Sequence, residues 1–208
     1  MLTPLRSAEG PKNSHLGAKL GLGRQLHQQA TQVGWQSAEI QIALSDGGSG
    51  LENFLHTYFP RVICILDFWH AAEHLSELAR VMHSDDEFET TFQRWCHVMK
   101  HEGGRTLLSE LEQIDLDGHA ESVREVWRKE TNYVRNNLHR MDYPKYVANG
   151  WRIGSGPIEA ACKLVVNQRL NGSGMRWGDD GADAVCHLRA LYLSDGDQWD
   201  AFWAASSA

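Results

Sequence analysis

The sequence has no apolar run approaching the roughly 20 residues that cross a bilayer; its longest compact one covers residues 62–66. The N-terminus, MLTPLRSAEGPKNSHLG, lacks a continuous apolar segment, so no signal peptide is expected. The four cysteines, Cys64, Cys96, Cys162 and Cys186, are far apart and form no CxxC pair. They read as reduced thiols of a cytoplasmic protein, three of them (Cys64, Cys162 and Cys186) as small hydrophobes inside apolar patterns. Nor is there a net positive charge. The formal value is −7, which speaks against a polyanion as partner of the chain as a whole. What is present is ordinary for a globular protein: 208 residues and 42% apolar side chains, enough for one domain, or one domain with an insertion, to bury a core.

The average charge hides an asymmetry. Residues 124–176 hold ten basic side chains against four acidic ones, a local charge of +6, which leaves −13 for the remainder. Such a segment suits local contact with a polyanion, and it equally suits a solvated helix face with internal ion pairs.

Residues 1–15 read as a polar tail and residues 16–33 as a helix, together an N-terminal segment to residue 36. Ile40, Ile42 and Leu44 alternate with polar or small residues, so 39–45 reads as a strand. A break at SDGGSG follows. Leu51, Phe54, Leu55 and Tyr58 then recur at helical spacing, and VICIL at 62–66 reads as a strand buried on both faces. Strand, helix, strand is a βαβ unit, which puts Asp46 and Asp67 at the carboxyl ends of neighbouring parallel strands, where open α/β sheets carry their sites. Beyond Trp69 the pattern is helical. One helix starts near Phe68, another is capped at Ser84, a third carries Leu107, Leu108 and Leu111, and a fourth covers 123–138. Residues 150–156 read as a loop, with Gly156 as N-cap and Pro157 in the first turn of a helix whose buried stripe is Ile158, Ala161, Cys162 and Val165. A Gly-rich loop at 171–180 precedes a last long helix. The fold class expected is α/β, mostly helical, with a core of residues 37–74 and 150–208 and an all-helical insertion at 75–149.

Three stretches carry chemistry. Ser45-Asp46-Gly47 sets an acid at a strand end before glycines that let a backbone or phosphate approach. Asp67-Phe68-Trp69-His70 follows the second strand. IGSGPIEAACK at 153–163 places Glu159 in the first turn of a helix after a tight glycine loop. Each has a plainer reading. Asp before Gly forms turns. Glu159 can cap its helix and pair with Lys163. Asp67 and His70 can be a helix cap and a surface histidine. His70-Ala71-Ala72-Glu73-His74 also fits the H-x-x-E-H pattern of one class of zinc peptidases, without an obvious third ligand downstream.

Taken in order, these stretches resemble the DDE transposases of the Kra-four family of bacterial insertion sequences, relatives of the Mutator-like transposases. The resemblance runs from about residue 16 to residue 203. It is strongest over NYVRNNLHR (132–140), IGSGPIEAACK (153–163) and QRLNGSGMRW (168–177), with WDAFW (199–203) resembling the family's end. It implies a ribonuclease-H-like core, interrupted by a helical insertion, in which three acids bind two Mg²⁺ or Mn²⁺ ions. By that resemblance Asp46 is the second catalytic acid and Glu159 the third, both metal-binding, while Asp67 and His70 are the D-x-x-H motif that orders the site. Arg152, Lys163, Arg169 and Arg176 are then candidate phosphate contacts, and Trp177 a candidate for base stacking. The first acid of the family stands on an earlier strand, and no segment before Asp46 reads as strand–turn–strand bearing an acid; Glu9 and Glu39 are poor substitutes. The expectation is therefore a truncated core, inactive alone, with insertion-sequence DNA as partner. The protein partners expected are a second copy in a homo-oligomer, or a separately encoded N-terminal part that supplies the missing strands. The same fold without cleavage, a DNA-binding remnant, is the alternative.

Overall fold

A computed structural model describes residues 11–194 and 197–206. Residues 1–10 of the expected tail, Glu9 included, lie outside the described residues. A helix, α1 (Pro11–Gln32), begins inside the stretch read as tail. Proline fits a first helical turn, where its missing N–H has no partner to lose, so the helix starts before its apolar pattern does. A 3₁₀ turn follows at Trp35–Ser37. The strands are shorter than expected: β1 is Ile42–Ser45 and β2 is Ile63–Leu66, joined by α2 (Leu51–Tyr58). They pair in parallel, Ile42 opposite Ile63 and Ser45 opposite Leu66, and form the whole sheet among the described residues.

A parallel pair must be covered on both faces. On one side Ala43 and Cys64 meet Leu55, Phe59 and Val62, with Ala30 and Trp35 alongside. On the other, Ile42, Leu44 and Ile65 join the larger core. That core is built by α3 (Phe68–Met82), α4 (Asp85–His101), α5 (Gly104–Glu112) and α6 (Glu121–Asn137), whose spacing of Leu75, Leu78, Trp95, Met99, Leu107, Leu111 and Val134 puts one apolar stripe of each inward. The helices expected as an insertion thus share a core with the sheet. A 3₁₀ turn at Leu138–Arg140 leads into α7 (Tyr143–Ala148), which the sequence pattern did not predict. Tyr143 is buried against Phe68, and its hydroxyl donates to the Leu66 carbonyl at 3.1 Å, closing the end of β2.

Gly103 and Gly104 do more than end α4. Gly103 takes φ 93°, a left-handed value that β-carbons resist, and Gly104 opens α5 with its amide on the Met141 carbonyl at 3.0 Å. A β-carbon on Gly104 would stand 2.6 Å from that of Met141.

The chain divides after Gly154 into two compact units. The second holds α8 (Gly156–Cys162), a π-helical turn at Lys163–Asn167, the short α9 (Gln168–Leu170), then α10 (Asp179–Tyr192) and α11 (Gln198–Ser206). Two expectations are corrected here. Ser155, not Gly156, is the N-cap of α8. The stripe of Ile158, Ala161, Cys162 and Val165 is not buried: Ile158 is 57% exposed, and only Val165 is half-buried. The π-turn that follows winds more widely, so Val165 is out of phase with the three residues before Lys163. Arg189 of α10 ties the turn down through the carbonyls of Leu164 and Val165. Residues 199–203 lie in α11, where Trp199 meets Tyr192 and Trp203 edge-on. Among the described residues no helix is long and apolar enough to cross a membrane.

Gly104→Ala should lower stability by about 1–3 kcal/mol through overpacking against Met141. A urea midpoint equal to that of the wild type would show that Met141 yields freely and would undo this account of the α4–α5 junction.

Candidate functional site

The parallel register carries Ser45 and Leu66 to the same edge of the sheet, and the Asp67 amide donates to the Ser45 carbonyl at 2.9 Å. Asp46 and Asp67, the next residue of each strand, therefore leave that edge side by side. Their roles differ. Asp46 is exposed, and its Oδ1 accepts from the Gly48 amide at 3.0 Å in a tight turn. Asp67 is buried and caps α3, its Oδ1 accepting from the amides of Trp69 (2.9 Å) and His70 (3.0 Å). That bond set satisfies donors a helix start leaves orphaned. Beside Asp46 a cavity of about 240 Å³ is lined by Leu22, Gly48, Ser49, Gly50, Leu51 and Phe54.

Sequence reasoning missed the side chain that holds this edge from above. Tyr133 of α6 lies against Gly47 so closely that a β-carbon there would meet its ring at 2.5 Å. His74 stacks on the same ring, centroids 3.6 Å apart, and His70 stands edge-on to His74 at 5.4 Å. His74 Nδ1 is 2.5 Å from Oε2 of Glu130, a carboxylate with no solvent exposure, whose other oxygen has Lys129 Nζ at 2.8 Å. The histidines of the H-x-x-E-H pattern are thus engaged with Tyr133, Glu130 and Glu73, and among the described residues they join no third metal-ligating side chain. The Tyr133 hydroxyl is buried without a well-formed hydrogen bond. Burial pushes its pKa up to about 12, against partial relief from Arg140.

Arg140, the last residue of NYVRNNLHR, is only 4% exposed. Its guanidinium reaches Ser45 Oγ at 3.2 Å and the Asn137 side chain, and its Nε lies 3.8 Å from Glu52 Oε2. His139 Nε2 meets the same carboxylate at 2.9 Å. Partial burial works to raise the Glu52 pKa, but the His139 hydrogen bond and the charges of His139, Arg140 and His56 outweigh it and hold the carboxyl below its usual range. All four cysteines are free thiols. Cys64 is buried as expected, whereas Cys162 is exposed and Cys186 half-buried.

The basic segment separates into two kinds of residue. Arg128, Lys129, Arg135 and Arg140 pair with Glu125, Glu77, Glu130, Glu112 and Glu52. Arg152, Lys163, Arg169 and Arg176 are exposed, and none of them is ion-paired with another described residue. Arg152 lies in the first unit, just before Ile153, whose carbonyl accepts from the Phe68 amide at 2.8 Å, and Gly154, which packs under Trp69. The other three belong to the second unit with Trp177, itself 43% exposed. So does Glu159, whose Oε1 accepts from Ser155 Oγ at 2.7 Å. Asp46, Asp67, His70 and Arg152 are thus placed together in one unit, and Glu159, Lys163, Arg169, Arg176 and Trp177 in the other.

No protein-family model, curated protein or solved structure matches this chain.

Gly47→Ala should cost about 1–3 kcal/mol, and most of that loss should vanish in a Tyr133→Leu background. Additive losses in this double-mutant cycle would show that the ring does not hold the Asp46 loop. The Tyr133 hydroxyl also predicts an alkaline effect. Because the folded pKa lies above the usual 10, the stability it contributes is intact below pH 10 and is lost as pH rises toward about 12. Tyr133→Phe should flatten that part of the denaturation-versus-pH curve; identical curves would exclude Tyr133 as its source.

Proposed function

We propose that this chain is a transposase-like protein of the DDE type, acting on the DNA of a bacterial insertion sequence. In this reading β1 and β2 are part of a ribonuclease-H-like core. Asp46 and Glu159 are its metal-binding acids, and Asp67 and His70 order the strand ends. The observation that carries the reading is the pairing of β1 with β2, which sets Asp46 beside the buried Asp67 of the Asp67-x-x-His70 motif at one sheet edge. The ordered motifs of the sequence, ending in IGSGPIEAACK, supply the rest of the argument.

The donor chemistry fits a hard divalent cation. Asp46 has one carboxylate oxygen on Gly48 and the other without a hydrogen bond to a described residue, and Glu159 has Oε1 on the Ser155 hydroxyl and Oε2 without one. Carboxylate oxygens of this kind are what Mg²⁺ or Mn²⁺ takes, with water and phosphate oxygens as the remaining ligands. A divalent ion held by such a carboxylate would supply electrostatic stabilisation of the charge that builds on a phosphodiester under attack. The protein's own part is positional. Tyr133 fixes the turn that carries Asp46, the Asp67 cap fixes the start of α3, and the unpaired Arg152, Lys163, Arg169 and Arg176 offer contacts to the DNA backbone. Trp177 offers a face for a base.

Ahead of β1 the described residues form a helix and a 3₁₀ turn, not a strand bearing an acid. Two acids are fewer than two-metal strand transfer needs, so the chain alone is expected to bind metal and DNA without joining strands. The third acid would have to come from a segment outside this sequence, such as a separately encoded N-terminal part. The second reading, a DNA-binding protein without cleavage, draws on the unpaired cations alone.

Calorimetric titration with Mn²⁺, on the wild type and on Asp46→Asn and Glu159→Gln, tests the metal site, and the expected result is binding that both substitutions abolish. In parallel, Arg169→Ala and Arg176→Ala should each weaken binding to a short duplex and reduce its salt slope by about one. DNA binding without Mn²⁺ binding would leave the second reading standing. Absence of both would sink the two together, and robust strand transfer by the purified chain would refute the claim that it is inactive alone.

A further inference from the structure

Away from both acids, α2 and β2 bring three different ligand types together. Glu52 and His56 stand one turn apart on α2, and Cys64 lies in the middle of β2 on the face that α2 covers. His56 Nε2 is 3.7 Å from Glu52 Oε1 and 3.8 Å from Cys64 Sγ, and one ligand atom from each of the three lies within 4.8 Å of the others. Around a tetrahedral zinc, bond lengths of about 2.0–2.3 Å set neighbouring ligand atoms about 3.3–3.6 Å apart. The two separations from His56 are within a few tenths of an ångström of that, and the Glu52 and Cys64 ligand atoms, within 4.8 Å of each other, are close enough for an ion to draw the side chains inward.

The surroundings are those of a built site. Glu52 turns Oε1 toward His56, while Oε2 receives His139 Nε2 at 2.9 Å and faces the Arg140 Nε at 3.8 Å. That Nε is buried and makes no hydrogen bond. Metal-ligating carboxylates are commonly held in this way by outer partners. Cys64 is buried, whereas the His56 side chain is 43% exposed, so the cluster is closed on the protein side and open toward solvent. The donor set of thiolate, imidazole and carboxylate disfavours Mg²⁺ and Ca²⁺, which want oxygen ligands, and suits zinc among the borderline transition metals.

We propose that Glu52, His56 and Cys64 bind a zinc ion, with a water as fourth ligand, and that His139 and Arg140 orient the Glu52 carboxylate. Binding displaces the Cys64 proton to solvent, as a zinc–thiolate bond requires. The ion cross-links the crossover helix to the strand it precedes, so it stabilises the βαβ unit. The site uses none of the residues assigned to Mg²⁺ or DNA, and it stands whether or not the chain acts on DNA.

The test is a titration of the full chain with Co²⁺, which replaces zinc in such sites and reports a bound thiolate by its ultraviolet charge-transfer absorption. One equivalent should bind with that absorption, and Zn²⁺ should displace it and raise the melting temperature. Cys64→Ser should abolish the thiolate band. His56→Gln, on the exposed face of α2 where it does not disturb the core, should remove tight binding, and His139→Ala should weaken it by about 10–100-fold. Asp46→Asn and Glu159→Gln should leave the Co²⁺ spectrum unchanged, which separates this site from the acids of the proposed function. No thiolate band in the wild type would overturn the proposal, as would a band that survives Cys64→Ser or tight binding that survives His56→Gln.

Discussion

Parallel pairing of β1 with β2 governs where every other group of the first unit can stand. Because the strands run the same way, both carboxyl ends meet at one edge, and the residues that follow, Asp46 and Asp67, leave it as neighbours. Because the connection must cross over, α2 lies on one face, and the return of the chain through α3 and α6 covers the other. The sheet has a single ladder, so little of its stability comes from strand hydrogen bonds. Ile65 and Leu66 have no exposure, and burial on both faces is what keeps the pair together.

The buried charges follow from the same geometry. Glu130, Asp67 and Arg140 are all buried, and each is placed where its partners come from another element or from an orphaned helix end. Glu130 has His74, Asp67 has the first amides of α3, and Arg140 has Ser45 and Glu52. A buried charge that loses its partner is strongly destabilising, while a paired one stabilises little against an apolar substitute. Their value lies in fixing one arrangement: with these contacts met, α6 has one seat on the sheet edge, and Tyr133 one place over Gly47.

Much of the first unit was legible in the sequence because its signals are local. The β-branched run at 62–66, the acid-then-glycine break at 46–50 and the 3–4 spacing of Leu75, Leu78, Trp95 and Leu107 each name an element without reference to the rest. What was missed depends on distant partners or on a change of winding. Residues 139–149 gave no helical pattern to read, and the buried contact of Tyr143 with Phe68 and Leu66 is what seats α7. The π-turn at Lys163–Asn167 has no composition of its own, and it puts Val165 out of phase with Ile158, Ala161 and Cys162. The local charge of +6 was a correct count, but sequence could not separate Arg135, paired with Glu112, from Arg169 and Arg176, which have no such pair. Glu52 and His56 were visible at i and i+4; Cys64 read as a small hydrophobe because its ligand partners lie in a helix whose packing no spacing reveals.

Arg140 joins the two places where chemistry is proposed. One end of its guanidinium donates to Ser45 Oγ, the residue before Asp46, and its Nε faces Glu52. Together with His139, the buried cation favours the ionised form of the Glu52 carboxylate beside it. Its own desolvation is offset only while both contacts persist. A shift of α2 that withdrew Glu52 would leave the guanidinium leaning on Ser45 and Asn137 alone, and a shift of the Ser45–Gly47 turn would strain it the other way. The hard-acid edge and the Glu52–His56–Cys64 cluster are therefore chemically distinct but mechanically linked through Arg140, which bonds Ser45 at the one and faces Glu52 at the other.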